Sequence, residues 1–482
     1  MTLASSAQGR YGEHMGASGN PLLQELDEFL SALKGFLRAD QILTGDAISE
    51  DYTHDEALTV SPVMPGVVAL PENTAETAEI LRLSDADSIA VTARGSGTGL
   101  SGACVPIADG VLISFERMNA ILEIDTENHT ATVQPGVTLE QLDAALREYG
   151  LVYPVFPGEL SASLGGNVAT NAGGMRAVKY GVTRHQVLGL EAVLASGEII
   201  RTGGKFVKAT TGYDLTQLIT GSEGTLAIVT EATLRLYPRL EHSATMLVPF
   251  HTLTQVTAAV PRILDRGVGP LILEYIDLLT MSVVTEFVGL DLGIPEEIRS
   301  TALAYLVVVL EQRTAERLNE DVEELAELLS ALGAIDVYVL PSAAGERLIE
   351  AREKAFWAAK ANGANDIVDI VVPRASVPIF MERVAKIADE NISWIAGCGH
   401  AGDGNVHLSV FQPDDELRYK VLSELFALGI ELGGAISGEH GIGIAKRRWY
   451  LELEDPNKLA LMRRIKDAFD PNGVLNPGTL LS

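Results

Sequence analysis

The chain has 482 residues, 47% apolar and 21% charged, a globular profile with room for two to four domains at roughly 100–200 residues each. Its 36 Lys and Arg against 65 Asp and Glu leave a formal charge of −29, which argues against nucleic acid as a partner, because phosphate affinity comes from Lys/Arg neutralisation. Cys104 and Cys398 alone make no disulfide framework and suggest a reducing, cytoplasmic setting. The apolar run 301–310 falls well short of the ~20 residues of a membrane span, which leaves at most a peripheral place at a membrane.

Residues 1–60 read as a polar, Gly/Ser-rich tail without an apolar leader, followed by a helix that Asn20 caps and Pro21 opens. A domain over 61–238 then begins with the apolar run Val67 to Leu70 and a helix with the capping spacing Asn73-x-x-Glu76. Short β-rich runs follow at 88–92, 111–115, 120–125 and 130–134. Ser196-Gly197 marks a hairpin, and 225–237 continues the strands. Single helices such as 139–149 interrupt them, which is an α+β rather than a βαβ pattern. Pro238 marks a boundary to a second α+β domain over 239–440, with a helix at 314–332 and strands at 304–310 and 337–340. Residues 441–482 form a Gly/Pro-punctuated closing segment.

Two features carry chemistry. The first is a set of glycine tracts: Arg94-Gly-Ser-Gly-Thr-Gly-Leu-Ser-Gly102, then Pro157-Gly158-Glu159 with Ser163-Leu-Gly-Gly166-Asn167 and Asn171-Ala-Gly-Gly174, then Gly221-Ser-Glu223-Gly224. Glycines let backbone N–H groups approach a phosphate, and the hydroxyls add donors. Gly97-x-Gly99-x-x-Gly102 matches the dinucleotide pattern, but the eight residues before Val111 leave no space for the helix that pattern needs. Ala103 stands where an ATP-binding loop has its Lys.

The second feature is Gly399-His400-Ala-Gly-Asp-Gly-Asn-Val-His407. Gly402-Asp-Gly404 predicts a hairpin with His407 opposite the apolar face of Val406, Leu408 and Val410, and with His400 within reach across the turn. Ser437-Gly-Glu439-His440-Gly441 adds a carboxylate and a further imidazole. Two imidazoles and a carboxylate with open positions suit Zn²⁺ or another borderline divalent ion, although the spacing is not that of a known zinc helix. Hydrogen-bonded turn histidines are the plainer reading of each alone, and Cys398 fits a structural thiol better than a ligand.

The tracts at 65–71, 93–102, 165–174 and 221–225 resemble the FAD domain of the vanillyl-alcohol oxidase/p-cresol methylhydroxylase superfamily over residues 60–238. The resemblance implies a two-part FAD-binding domain plus an α+β cap domain with an antiparallel sheet. It places FAD contacts at Arg94, Gly95, Ser96, Gly97, Thr98, Gly99, Gly158, Ser163, Gly166, Asn167, Asn171, Glu223 and Asn476. With no His in the 95–102 loop, non-covalent FAD is expected. The two histidine corners are similar to those of FAD-linked D-2-hydroxyacid dehydrogenases, a group that includes D-lactate dehydrogenase, the glycolate oxidase flavin subunit and D-2-hydroxyglutarate dehydrogenase. That similarity implies a divalent metal, Zn or Mn, on His400, His407 and Glu439, with His440 as general base and Arg352 as the carboxylate clamp. It also implies an electron acceptor such as a quinone, a cytochrome or an electron-transfer protein, and a homodimer is compatible with it. Where relatives acting on 2-hydroxyglutarate carry a Lys, this chain has Ile367, which points to a short monocarboxylate such as D-lactate or glycolate.

Overall fold

The computed structural model describes residues 21–481, so the proposed Asn20 cap and the 1–19 tail lie outside the described residues. A four-stranded sheet places Val67–Ala69, Val111–Ser114 and Val91–Arg94 in parallel, with Ile42–Leu43 antiparallel at the edge. Helix Thr74–Ala86 packs over it, and the Asn73 side chain accepts from the Glu76 N–H, a cap worth about 1 kcal/mol. A five-stranded antiparallel sheet follows in the order Ile121–Asp125, Thr130–Val133, Ile228–Arg235, Val187–Val193, Ile199–Gly203. Its last two strands form the hairpin at Gly197, whose φ of 85° suits glycine. Together these sheets make the two-part domain.

The second domain is a seven-stranded antiparallel sheet. Its order is Tyr338–Leu340, His242–Phe250, Ala304–Gln312, Ile272–Asp277, Trp394–His400, Asn405–Phe411, Asp366–Val371. One face buries Leu273, Tyr275, Val368, Ile370, Val406, Leu408 and Val410 under helices that include Val377–Glu390 and Asp415–Glu431. Each such side chain contributes about 1.5–3 kcal/mol. Alternation turns the intervening residues to the other face, and that face carries the candidate site.

The chain then returns to the first domain. The Val91 N–H donates to the Val474 carbonyl and the Asn476 N–H to the Val91 carbonyl, both at 2.8 Å. Buried Lys466 pairs with Asp470 and donates to the carbonyls of Thr225 (2.8 Å) and Leu475 (2.9 Å).

One helix departs from the sequence reading. Leu164–Thr170, within the glycine tract that begins at Ser163, is helical rather than a loop. Ser163 Oγ caps it by accepting from the Gly166 N–H, and Gly165 lies where a Cβ would come within 2.5 Å of Pro135. Close packing and a cap outweigh the cost of two helical glycines.

Candidate active site

The histidine hairpin forms as its turn residues require. Trp394–His400 pairs with Asn405–Phe411, so that His400 lies opposite Asn405 and Cys398 opposite His407. Gly404, at φ 89°, closes the turn where a Cβ would meet the Val372 carbonyl at 2.1 Å. Strand Asp366–Val371 places Asp369 beside His407, and strand Ile272–Asp277 places Glu274 beside His400.

Glu439 then reaches this face from the loop after helix Asp415–Glu431. The His400 and His407 Nε2 atoms are 3.1 Å apart, and Glu439 Oε1 lies 3.1 Å and 3.2 Å from them. Three donor atoms on nearly equal edges of this length fit one cation at about 2 Å from each. Burial works against charge on His400, but the carboxylates of Glu274 and Glu439 raise its pKa well above the ordinary value; burial lowers that of His407.

Glu274 escaped the sequence reading. Its Oε1 lies 2.5 Å from His400 Nδ1 and its Oε2 lies 2.9 Å from an Arg352 Nη, so one buried carboxylate orients both a candidate ligand and the candidate clamp. The available signal was a lone acid in the apolar run Ile272-Leu-Glu-Tyr-Ile276. The Arg352 pair is close in distance but not aligned as a hydrogen bond. Nε and Nη2 of this buried guanidinium therefore have no hydrogen-bond partner within the protein. Glu274 supplies the countercharge, and the buried donors it does not engage leave room for a second anionic group.

His440 is anchored through its backbone, whose N–H donates to Asp369 Oδ2 at 2.9 Å. Its Nδ1 lies 3.4 Å from Asp369 Oδ1 without a hydrogen bond. Asp369 also accepts from Ser437, from the Gly438 and Glu439 N–H groups and from Lys446. Burial opposes its ionisation, yet His440, protonated in the acid range where Asp369 would titrate, and Lys446 hold it well below the usual carboxylate range. Burial also drives the His440 pKa down to about 4, against the pull of Asp369, which leaves a neutral imidazole at neutral pH.

Arg352, His400, His407, Glu439 and His440 all line one cavity of about 430 Å³. Glu439, His440, Leu100 and Pro157 also line a second groove, which continues over Gly95, Ser96, Gly97, Thr98, Gly99, Ser163, Gly166, Asn167 and Glu223. Ser163 Oγ accepts from the Ser96 N–H and so ties two glycine tracts together. A Cβ on Gly95 would lie 1.9 Å from that Oγ, and one on Gly97 would lie 2.0 Å from the Arg94 guanidinium. The buried Nδ2 of Asn167 has no partner. A tight cradle with an unpaired donor fits an elongated phosphate-bearing cofactor.

Four expected contacts are placed differently. Arg94 faces a small adjoining cavity and donates to the His54 carbonyl at 2.6 Å, which fixes the loop from beneath. Asn171 is the left-handed cap of helix Leu164–Thr170, and its Oδ1 accepts from the Arg184 N–H. Asn476 Nδ2 donates to the Ala103 and Glu223 carbonyls, so it braces the lining from behind. Gly158 borders the 430 Å³ cavity rather than the glycine groove. Glu223 lines the groove, but both its carboxylate oxygens accept from the closing segment, at the Ile442 and Gly443 N–H groups (2.7 Å each).

Residues 65–203 match the family model described as "FAD binding domain", and residues 239–480 match "FAD linked oxidases, C-terminal domain". The chain belongs to the FAD-linked oxidase family. This FAD-linked oxidase is 58% identical to an uncharacterised FAD-linked oxidoreductase of Mycobacterium tuberculosis, over 91% of this chain and 96% of that one. It is 37% identical to a D-lactate dehydrogenase of Anaerostipes hadrus (91% and 94%) and 38% identical to the glycolate oxidase subunit GlcD of Bacillus subtilis (87% and 89%). Among solved structures, p-cresol methylhydroxylase with substrate bound superposes with a TM-score of 0.78 at 16% identity, over 95% of this chain and 97% of that one, which establishes the α+β fold. The protein is thus an FAD-dependent oxidoreductase. Among the described residues no helix is long and apolar enough to cross a membrane.

Proposed function

We propose that this FAD-linked oxidase converts a D-2-hydroxy acid to the 2-keto acid. The observation that carries this reading is the convergence, in a single cavity joined to the glycine groove, of a buried guanidinium whose Nε has no hydrogen-bond partner within the protein, a three-donor cation site and a neutral imidazole. FAD, bound without a covalent link, supplies the hydride acceptor, and a divalent cation held by His400, His407 and Glu439 supplies a Lewis acid for the substrate hydroxyl.

The protein's own residues do the rest. Arg352, held by Glu274, grips the substrate carboxylate through the guanidinium donors that pair leaves over, its Nε among them, which fixes the orientation of Cα. Glu274 keeps Arg352 and His400 in register. His440 accepts the hydroxyl proton, and Asp369 stabilises the imidazolium that results. The substrate loses one hydride from Cα and one proton from oxygen while the C=O bond forms, so the two electrons leave with the hydride. Ile367 borders the cavity and offers no charge to a second carboxylate, which disfavours 2-hydroxyglutarate.

The relatives named D-lactate dehydrogenase and glycolate oxidase subunit support this substrate class. The latter also supports a second reading, in which the chain is the flavin subunit of a larger glycolate oxidase. Anaerobic mixing of purified holoprotein with D- and L-2-hydroxy acids tests the proposal: bleaching of the flavin band by D-acids is expected, and an unbleached flavin with every acid would remove it. Turnover with a dye acceptor and no other subunit separates the two readings.

A further inference from the structure

The 430 Å³ cavity extends well beyond the groups that would hold a 2-hydroxy acid head. Its floor can be followed in the strand register. His407 is opposed by Cys398 and Asp369; two residues further on, Ser409 is opposed by Ala396 and Ile367; two further still, Phe411 is opposed by Trp394. Opposed residues share a face and alternate residues return to it, so one surface runs from imidazole to hydrocarbon. At ~3.4 Å per residue, Trp394 lies roughly 14 Å along its strand from Cys398.

The opposite wall is mostly apolar, with Thr280, Glu353 and Asn362 its polar members. Leu279, Val283 and Val284 face the cavity from helix Leu278–Phe287, and Phe356 and Ala359 from helix Ala355–Ala361. At the outer end the apolar lining reaches solvent, where Trp394 is 71% and Leu279 42% exposed. Arg352 is the only Lys or Arg among the lining residues. At ~30 Å³ per water-sized unit, the volume holds on the order of a dozen non-hydrogen atoms. Glycolate or lactate, bound at Arg352 and His440, would not reach the end of the cavity lined by Phe411 and Trp394.

We propose that the preferred substrate is a D-2-hydroxy acid with an extended apolar side chain, linear or aryl. Its carboxylate binds Arg352, and its tail lies between Ile367, Ala396 and Phe411 on one side and Val283 and Ala359 on the other. This rests on the oxidation proposed above and replaces the short side chain expected from the sequence with a longer one. Ile367 thus acts by adding hydrocarbon surface to the tail channel.

The test is anaerobic flavin reduction of the holoenzyme by D-lactate, D-2-hydroxybutyrate, D-2-hydroxyhexanoate, D-2-hydroxyoctanoate and D-phenyllactate. With ~0.8 kcal/mol per buried methylene, reduction efficiency should rise about fourfold per added carbon over the first few. In Ala359→Leu the hexanoate-to-lactate ratio should fall by about tenfold. A series that falls from D-lactate onward, or a ratio unmoved by the variant, overturns the long-tail inference and leaves the oxidation intact. If no acid of any length reduces the flavin, both fall.

Discussion

His440 combines a mostly buried ring at the cavity wall, a backbone tied to Asp369, and a pKa driven down to about 4. A base must be unprotonated before it can act, so this imidazole is ready at neutral pH. His440→Ala should retain FAD yet slow substrate-driven flavin reduction by roughly 10²–10⁴, as read by stopped flow. Glu353, on the cavity wall, has its pKa raised to about 7 by burial. The sign follows: its neutral form is favoured when folded, so the stability it contributes is full below the usual carboxylate pKa and is lost as pH rises through about 7. Above that pH its new charge also repels an incoming carboxylate. KM should therefore increase severalfold between pH 6 and 8 and stay flat over that range in Glu353→Gln.

The glycine loop and the histidine hairpin hold their residues by different means. In the loop, Gly97 combines φ +73° with no room for a Cβ beside Arg94. Gly97→Ala should cost about 1–3 kcal/mol in thermal unfolding and weaken FAD retention. Gly267→Ala, with φ +75° but open space around it, should show the backbone cost alone. In the hairpin, orientation comes from the neighbouring strand. Glu274→Gln should loosen divalent-ion affinity by about 10–100-fold in a chelator competition.

These two elements also mark what could be read in advance. Loop and hairpin were legible because Gly, Asp and alternating apolar residues specify turns and faces locally. Helix Leu164–Thr170 was not: Ser163 offers a local cap, but its glycines are accepted because Pro135, remote in sequence, packs against Gly165. Glu274 was hidden for the same reason: its partners are 126 and 78 residues away, and no local pattern connects them. The lengthwise extent of the cavity was equally invisible, because it arises where two helices remote in sequence cover one end of a sheet face.

For the whole molecule, the closing segment connects both domains. Ile442 and Leu480 pack into the second domain's core, while Glu223 of the first accepts from Ile442 and Gly443 and Lys466 donates to the Thr225 carbonyl. Removing the Lys466 amine leaves the Asp470 carboxylate buried without its countercharge. Lys466→Met should lower stability by about 3–5 kcal/mol, measured by urea unfolding, with FAD lost before the second domain unfolds.

The pairing of Val474 and Asn476 with Val91 affects how the molecule is made. A ribosome emits the cofactor domain's sheet strands hundreds of residues before the segment that secures its edge. The sheet's Val91 edge is therefore completed only when residue 476 has emerged, and a shorter nascent chain leaves that edge unpaired. Synthesis order thus makes the first sheet's last backbone pairing a late event in the making of the chain.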